Sequence, residues 1–322
     1  MRISCRRRCR PWAQGTAIEV ITADPQQFLA AWSKLPERPQ QACARGVMMV
    51  LPEQFSVDPE SALDNRYLQL EQAADPDLAL RQAQRLAAAV EAVGVPVTCF
   101  PGRADQRDGL FPNNVFATAP GRCVVGRMLH PGRRPEAARR DIRRWLEAQG
   151  YRLHDLSTGT AVTELTGPLV IDRARQAAFC GMSQRMDGAG LTATHAALGL
   201  ELTFRFALSP GEYHTNVVLS VLAGRACVAV PDAFPDPAVL RLLETVYPQR
   251  CLSLDLAEKD AFAGNCIALT PHDLFLSERA ADHLRPTSRQ RLEAWGFRLH
   301  AVDLSEPERA GGSLRCMLAE LF

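Results

Sequence analysis

The stretch "RQAQRLAAAVEAVGVPVTCF", residues 81–100, decides how the chain folds. Leu86 and Val90 share one helical face, Gly94 follows the last helical turn, and a short apolar run then reads as a strand. A glycine there suits a helix C-cap, where the backbone must turn through a left-handed conformation. The same phrase returns as "ARRDIRRWLEAQGYRLHDL" (138–156), "LTATHAALGLELTFRF" (191–206), "VLRLLETVYPQRCLSLDL" (239–256) and "SRQRLEAWGFRLHAVDL" (288–304). Its punctuation falls at Gly94, Gly150, Gly199, Gln249 and Gly296, a period of roughly fifty residues.

Between these phrases lie paired β-type runs: "PLVIDR" then "QAAFCGM", "HTNVVLSVL" then "RACVAV", "GNCIAL" then "DLFLS". Each unit therefore reads as strand, strand, helix, strand. Such a unit cannot bury its apolar face alone, so five of them predict an α/β fold in which modules form a closed ring, sheets inside and helices outside. A doubly wound open sheet is the alternative, but no GxGxxG or Walker loop stands at a strand-to-helix turn.

At 322 residues and 47% hydrophobic content the chain can bury a substantial core. Lys+Arg 37 against Asp+Glu 36 leaves a formal charge of +1, which gives no reason to expect nucleic acid or a membrane surface as partner. A small-molecule substrate is the expected partner, and a homo-oligomer stays open. The ten cysteines form no CxxC pair and several sit in apolar runs, the pattern of reduced thiols in a cytoplasmic protein without metal or other cofactor. Residues 1–45 read as an N-terminal extension, partly disordered at its arginine-rich start, and residues 46–322 as one catalytic domain.

Four stretches place polar residues where a core would not: "GLFPNNVFAT" (109–118), "VTELTGPLVIDR" (162–173), "GEYHTNVVLS" (211–220) and "GGSLRCM" (311–317). Singly, each has an ordinary reading. His214 is a strand residue, Glu164 a surface carboxylate, Asn113 and Asn114 turn formers, and Cys316 an inert thiol. Together they satisfy covalent catalysis at a planar carbon: a thiolate attacks, a histidine moves protons, and a carboxylate holds an N–H of the substrate. The Gly-Gly pair lets the cysteine loop approach closely, and Arg315 offers a positive charge beside the thiol. It also poses a question, because a terminal Gly-Gly segment should fray unless something ties it down.

The order PNN, E-x-T-G, Y-H-T-N-V and G-G-S-x-R-C-M-x-A-E resembles the guanidino-group-modifying superfamily. That group contains arginine deiminases, dimethylarginine hydrolases, succinylarginine dihydrolase and amidinotransferases. Within it, the chain is most similar to the arginine-deiminase-related branch that includes citrulline hydrolases, from about Val47 to Phe322. The resemblance implies a five-bladed α/β propeller, the pentein fold, with ββαβ modules around a central active site. It also implies Cys316 as nucleophile, His214 as general acid/base and Glu164 as the carboxylate that grips a substrate nitrogen. Asn113, with Asn114 beside it, would bind the polar tail of the substrate, Arg133 its carboxylate, and Asn216 would contact the reacting group.

The departures bear on the substrate. Arginine deiminases carry aspartates where this chain has Ala119 and Asn216, and Leu165 replaces a glycine common after the glutamate. With one carboxylate expected at the reacting group, a buried guanidinium cation would lack compensating charge, whereas a neutral ureido group would not. The expected reaction is therefore hydrolysis of citrulline to ornithine, ammonia and carbon dioxide. Arginine, an N-acylarginine or a dimethylarginine is the alternative within the family, and a propeller that only binds a ligand or partner is the alternative outside enzymes.

Overall fold

The computed structural model describes residues 20–58, 60–69 and 74–322. Its strands fall into five separate small sheets. In each, two antiparallel strands are followed by a helix and a third strand parallel to the second. Phe116–Ala119, Arg122–Val125 and Arg152–Asp155 make one such sheet. Leu169–Asp172, Ala177–Met182 and Leu202–Ala207 make the next, Leu219–Leu222, Ala226–Ala229 and Cys251–Ser253 another, and Ile267–Ala268, Asp273–Ser277 and Arg298–Val302 a fourth. The remaining sheet is assembled from both ends of the chain. Ala319–Leu321 runs antiparallel to Gly46–Val50, with Ala319 opposite Met48, and Gly46–Val50 is parallel to Val97–Phe100.

The connecting helices are Pro76–Ala92, Arg140–Ala148, Gly188–Leu198, Ala238–Val246 and Pro286–Ala294. Each turns into its third strand through a left-handed residue: Gly94 at φ +83°, Gly150 at +90°, Gly199 at +68°, Gln249 at +62° and Gly296 at +82°. Gln249 shows that the turn belongs to the module, since a residue with a Cβ accepts there a conformation that costs it roughly 1 kcal/mol. The helices bury one face. In Pro76–Ala92 that face is Ala79, Ala83, Leu86 and Val90, which pack under Val47 and Met49 of the first sheet. The first strands of neighbouring sheets meet one another: Ala319–Leu321 touches Phe116–Ala119, and Leu219–Leu222 touches both Leu169–Asp172 and Ile267–Ala268.

Two expectations need correction. The run "HTNVVLSVL" is not strand throughout, because Thr215–Val218 forms a helical turn and the strand starts at Leu219. The turn is fixed by the Thr215 hydroxyl, which accepts from the Gly181 amide at 2.8 Å, and by the Asn216 amide, which donates to the Gly167 carbonyl at 3.0 Å. The extension is also more than a tail. Val20–Thr22 adds a fourth strand parallel to Leu202–Phe204, and the helix Pro25–Trp32, capped by Asp24, buries Phe28 completely among Phe179, Phe204 and Trp32. A buried phenylalanine contributes on the order of 2–3 kcal/mol, so the packed part of this segment belongs to the domain's core. The arginine-rich start lies outside the described residues.

The C-terminal segment is tied down at several points. The Phe322 amide donates to the Thr118 hydroxyl at 2.9 Å, the Thr118 hydroxyl donates to the Glu320 carbonyl at 2.8 Å, and the Tyr151 hydroxyl donates to the Phe322 carbonyl at 2.8 Å. The buried Arg173 guanidinium lies 4.2 Å from the centre of the Phe322 ring. Leu318 and Phe322 pack inward while Leu321 stays partly exposed.

Candidate active site

The four polar stretches converge beneath one small cavity. Cys316, His214, Asn114, Arg133 and Gly312 line it, together with Asp108, Phe111, Arg185, Tyr213, Ser61 and Asn65. Cys316 stands in a short 3-10 turn, Leu314–Met317, whose approach is shaped by the two glycines. Gly311 has a φ of +78°, and a Cβ on Gly312 would lie 2.8 Å from the Phe111 ring. The carbonyl of Gly311 accepts from Tyr213 Oη at 2.6 Å and from Asn65 Nδ2 at 3.1 Å, so the glycine pair is clamped rather than loose.

Two side-chain amides face the sulfur. Asn265 Nδ2 lies 3.3 Å from Cys316 Sγ and Asn216 Nδ2 lies 3.6 Å away. Asn265 is fixed at both ends of its amide: Nδ2 also donates to the Asn216 carbonyl at 2.8 Å, and Oδ1 accepts from the Arg315 main-chain N–H at 3.1 Å. Burial pushes the Cys316 thiol above its ordinary pKa, partly offset by Asn265, the Arg315 charge and Asn216. The Arg315 guanidinium itself reaches Glu320 at 3.6 Å.

His214 and Glu164 form a buried pair, with Nε2 2.8 Å from Oε2. The Glu164 carboxylate also accepts from the Leu129 main-chain N–H at 3.0 Å and from Arg185 Nη1 at 3.1 and 3.2 Å. Burial works to raise the Glu164 pKa, but Arg185, His214 and Arg133 outweigh it and hold the carboxyl well below its usual range. Burial lowers the His214 pKa against the pull of Glu164, so the imidazole rests neutral. With Glu164 ionised, Nε2 carries the proton and Nδ1 is the basic nitrogen, without a hydrogen-bond partner among the described residues. A Cβ on Gly167 would fall 2.7 Å from the imidazole, which explains a glycine here. Leu165, where a glycine was expected by resemblance, is buried with φ +34°, a left-handed backbone held against its side chain's preference.

Arg133 is buried and paired with Glu136, Nε to Oε1 at 2.9 Å and Nη2 to Oε2 at 2.8 Å, with Asp108 at 3.9 Å. Of the two asparagines, Asn114 lines the cavity, whereas Asn113 is buried beside it with neither side-chain polar atom partnered among the described residues.

Three residues were missed. Asn265 stands in "GNCIAL", where a polar side chain in an apolar run was the available signal. Arg185 joins Glu164 to Asp64, with Nε–Oδ2 at 2.7 Å and Nη2–Oδ1 at 2.5 Å. Asp108 breaks the expectation of a single carboxylate at this site: it lines the cavity, hydrogen-bonded by the Ser61 hydroxyl and with Oδ1 unpartnered among the described residues. Burial raises its pKa although Arg133 and Ser61 oppose the rise. Among the described residues, no cluster of three or more His, Cys, Asp or Glu could hold a metal ion, and no helix is long and apolar enough to cross a membrane.

Comparison with known proteins bears on the fold and the family. The N(G),N(G)-dimethylarginine dimethylaminohydrolase of Mycobacterium tuberculosis is 27% identical over 226 residues, 70% of this chain and 68% of that protein. Among solved structures, the substrate-bound N-terminal domain of ArgZ, an arginine dihydrolase of the cyanobacterial ornithine-ammonia cycle, superposes with a TM-score of 0.74 at 19% identity, covering 85% of this chain and 97% of that one. A dimethylarginine dimethylaminohydrolase adduct with S-methyl-L-thiocitrulline gives 0.64 at 17% identity, covering 86% and 100%. At these identities the structures share the fold, and the α/β class is what they have in common. The model of the family described as N,N dimethylarginine dimethylhydrolase, eukaryotic, matches residues 51–322, and the chain belongs to that family within the guanidino-group-modifying superfamily.

Proposed function

We propose that the chain is a cysteine-dependent hydrolase of a C–N bond in a ureido or guanidino amino acid, with citrulline as its substrate and the five modules closed as a propeller around the site. In this reading Cys316 gives its proton to His214 Nδ1 and attacks the ureido carbon. The protonated His214 then delivers that proton to the leaving amine, releasing ornithine and leaving a carbamoyl group on sulfur. Water, deprotonated by His214, breaks the C–S bond, and the resulting carbamate decomposes to ammonia and carbon dioxide. Asn265 and Asn216 hold the sulfur as its charge develops, and Glu164 steadies the imidazolium. Arg133, which lines the cavity, would meet the substrate carboxylate, and Asp108 would supply an acceptor for its α-ammonium.

The observation that carries the neutral-substrate choice is the Arg185–Glu164 pair. The negative charge that Glu164 would offer a guanidinium substrate is already taken up by the protein's own Arg185, so a second guanidinium would meet a like charge, while a ureido group would not. Asp108 supports the second reading, a guanidino substrate such as arginine or dimethylarginine, because its free oxygen is an acceptor the sequence did not foresee. The test is kcat/KM for citrulline, arginine, dimethylarginine and agmatine, scored as ammonia and amine product. Citrulline turnover with ornithine as product supports the proposal. Arginine or dimethylarginine turnover without citrulline turnover replaces it by the second reading.

A further inference from the structure

A second cleft lies on the outside of the second module, lined by Arg127, Arg134, Arg140 and Arg143 with Gly126, Asp155, Ser157 and Thr158. Its volume is about 290 Å³. Arginine by itself says little here, because Lys34 and Lys259 are the only lysines and the chain writes almost all its positive charge as arginine. The disposition of the four guanidiniums is what singles the cleft out. Arg143 is neutralised, donating to Asp155 at 2.5 Å and to the Ala137 carbonyl at 2.7 Å. Arg134 is anchored on two main-chain carbonyls, Met128 at 3.3 Å and Leu129 at 3.0 Å, which orders the side chain without cancelling its charge. Arg127 and Arg140 have no ion pair and no side-chain hydrogen bond among the described residues. Three cations are thus left uncompensated around one groove in a chain of formal charge +1.

We propose that this groove is a binding site for a small multivalent phosphate, of the pyrophosphate or nucleotide-polyphosphate class. Guanidiniums match phosphate oxygens in paired hydrogen bonds, and the Thr158 hydroxyl in the same lining adds a donor, whereas the Ser157 hydroxyl already donates to Asp155 at 2.5 Å. No aromatic side chain lines the groove, so it offers no platform on which nucleic-acid bases would stack. The groove also backs onto the candidate active site. Between them runs the segment 126–134: the Arg127 amide donates to Thr163 Oγ1 at 2.7 Å, the Thr163 amide donates to the Arg127 carbonyl at 2.9 Å, and the Leu129 amide holds Glu164. A Cβ on Gly126 would lie 2.2 Å from the Thr163 carbonyl, so the two segments are in tight register. A phosphate drawing on Arg127 and Arg134 therefore pulls on the segment that holds Glu164 through the Leu129 amide and that carries Arg133.

The experiment is calorimetric titration of inorganic pyrophosphate into the intact chain at low and at physiological salt. It compares wild type, the double variant Arg127→Glu/Arg140→Glu, and the control Arg81→Glu/Arg85→Glu, which makes the same change in net charge on the exposed face of helix Pro76–Ala92. Wild type and control should saturate with one pyrophosphate per chain, and the double variant should bind at least about tenfold more weakly. Because Arg127 and Arg140 line no part of the cavity around Cys316, this result is separate from the fate of the hydrolase reading. Should the double variant fail to fold by circular dichroism, Arg140→Gln alone, at the exposed start of its helix, should still weaken binding severalfold. Absence of saturable binding in wild type, equal weakening in the control, or tighter binding of a single-stranded oligonucleotide than of pyrophosphate would each overturn the proposal.

Discussion

Replacing Asn265 by aspartate changes one atom's chemistry and almost no volume, and it strikes the contact that distinguishes Cys316 from the other buried thiols. In the wild type the Asn265 amide nitrogen donates to Cys316 Sγ at 3.3 Å and to the Asn216 carbonyl at 2.8 Å, in a position with no solvent exposure. An ionised aspartate turns both donors into acceptors. Against a thiolate, losing one charge-assisted hydrogen bond costs about 1.5–3 kcal/mol, and the new like charge adds to it. A total on the order of 3 kcal/mol corresponds to roughly a 150-fold fall in kcat/KM. Since Asn265 touches the sulfur and not the substrate, the loss should fall on kcat, with KM within about threefold. The buried acid will also raise its own pKa, and its protonated form regains an O–H donor, so the variant should recover activity as pH falls. Thiol alkylation at fixed pH gives an independent readout and should slow in step. A variant that keeps kcat/KM within threefold of wild type and labels at the same rate would refute the idea that side-chain amides hold this sulfur.

Cys316→Ser should abolish turnover without loss of fold. In wild type, alkylation of Cys316 should be slow at neutral pH and still rising above the ordinary thiol pKa of about 8.5, since burial lifts that of Cys316; a plateau below pH 7 would contradict this. Arg185→Met removes the protein's own cation from Glu164, so relative kcat/KM should move from citrulline toward arginine by about tenfold, with no shift or the reverse counting against the like-charge argument. His214 is held neutral by burial, its folded pKa below its unfolded value, so its contribution is complete above about pH 6.5 and is lost as pH falls; the midpoint of urea unfolding should drop from pH 7 to 5.5, and by less in His214→Gln. Phe28→Ala should cost about 3–5 kcal/mol in urea unfolding, where a change within experimental error would make the N-terminal helix an idle appendage.

The periodicity was legible because each module must perform the same manoeuvre, helix into left-handed turn into strand, and glycine marks that turn in four of the five. Gln249 has no composition signal and was found only from its spacing. The thiol, imidazole and carboxylate were readable because reactive residue types are few and their surrounding motifs are dense. Asn265, Arg185 and Asp108 were not, for a shared reason: each is common as a residue type, and its role comes from partners between 21 and 121 positions away in sequence. The helix Pro25–Trp32 has a legible signature. "DPQQFLAAW" carries an aspartate cap and a proline at the first helical position, the same signature as Asp75 and Pro76 before the longer helix, but the arginine-rich start beside it set the reading of the whole extension.

The segment 60–69 is pinned around the cavity, with Asp64 on Arg185 and His130, Ser61 on Asp108, Asn65 on Gly311, and Tyr67 Oη donating to Glu212 at 2.7 Å. What remains inside is about 10 Å³, space for a single water. So small a space makes capture a two-stage event in which this segment must shift before any amino acid can enter. If closure is favoured by about 3 kcal/mol, only about one molecule in 150 is receptive at a given moment, and apparent affinity falls by the same factor. Weakening the Asp64 latch should then speed association and tighten apparent binding, although it removes contacts from the folded protein. In this architecture one side chain, Arg185, joins the segment to Glu164, so a motion that frees Asp64 is felt at the His214–Glu164 pair.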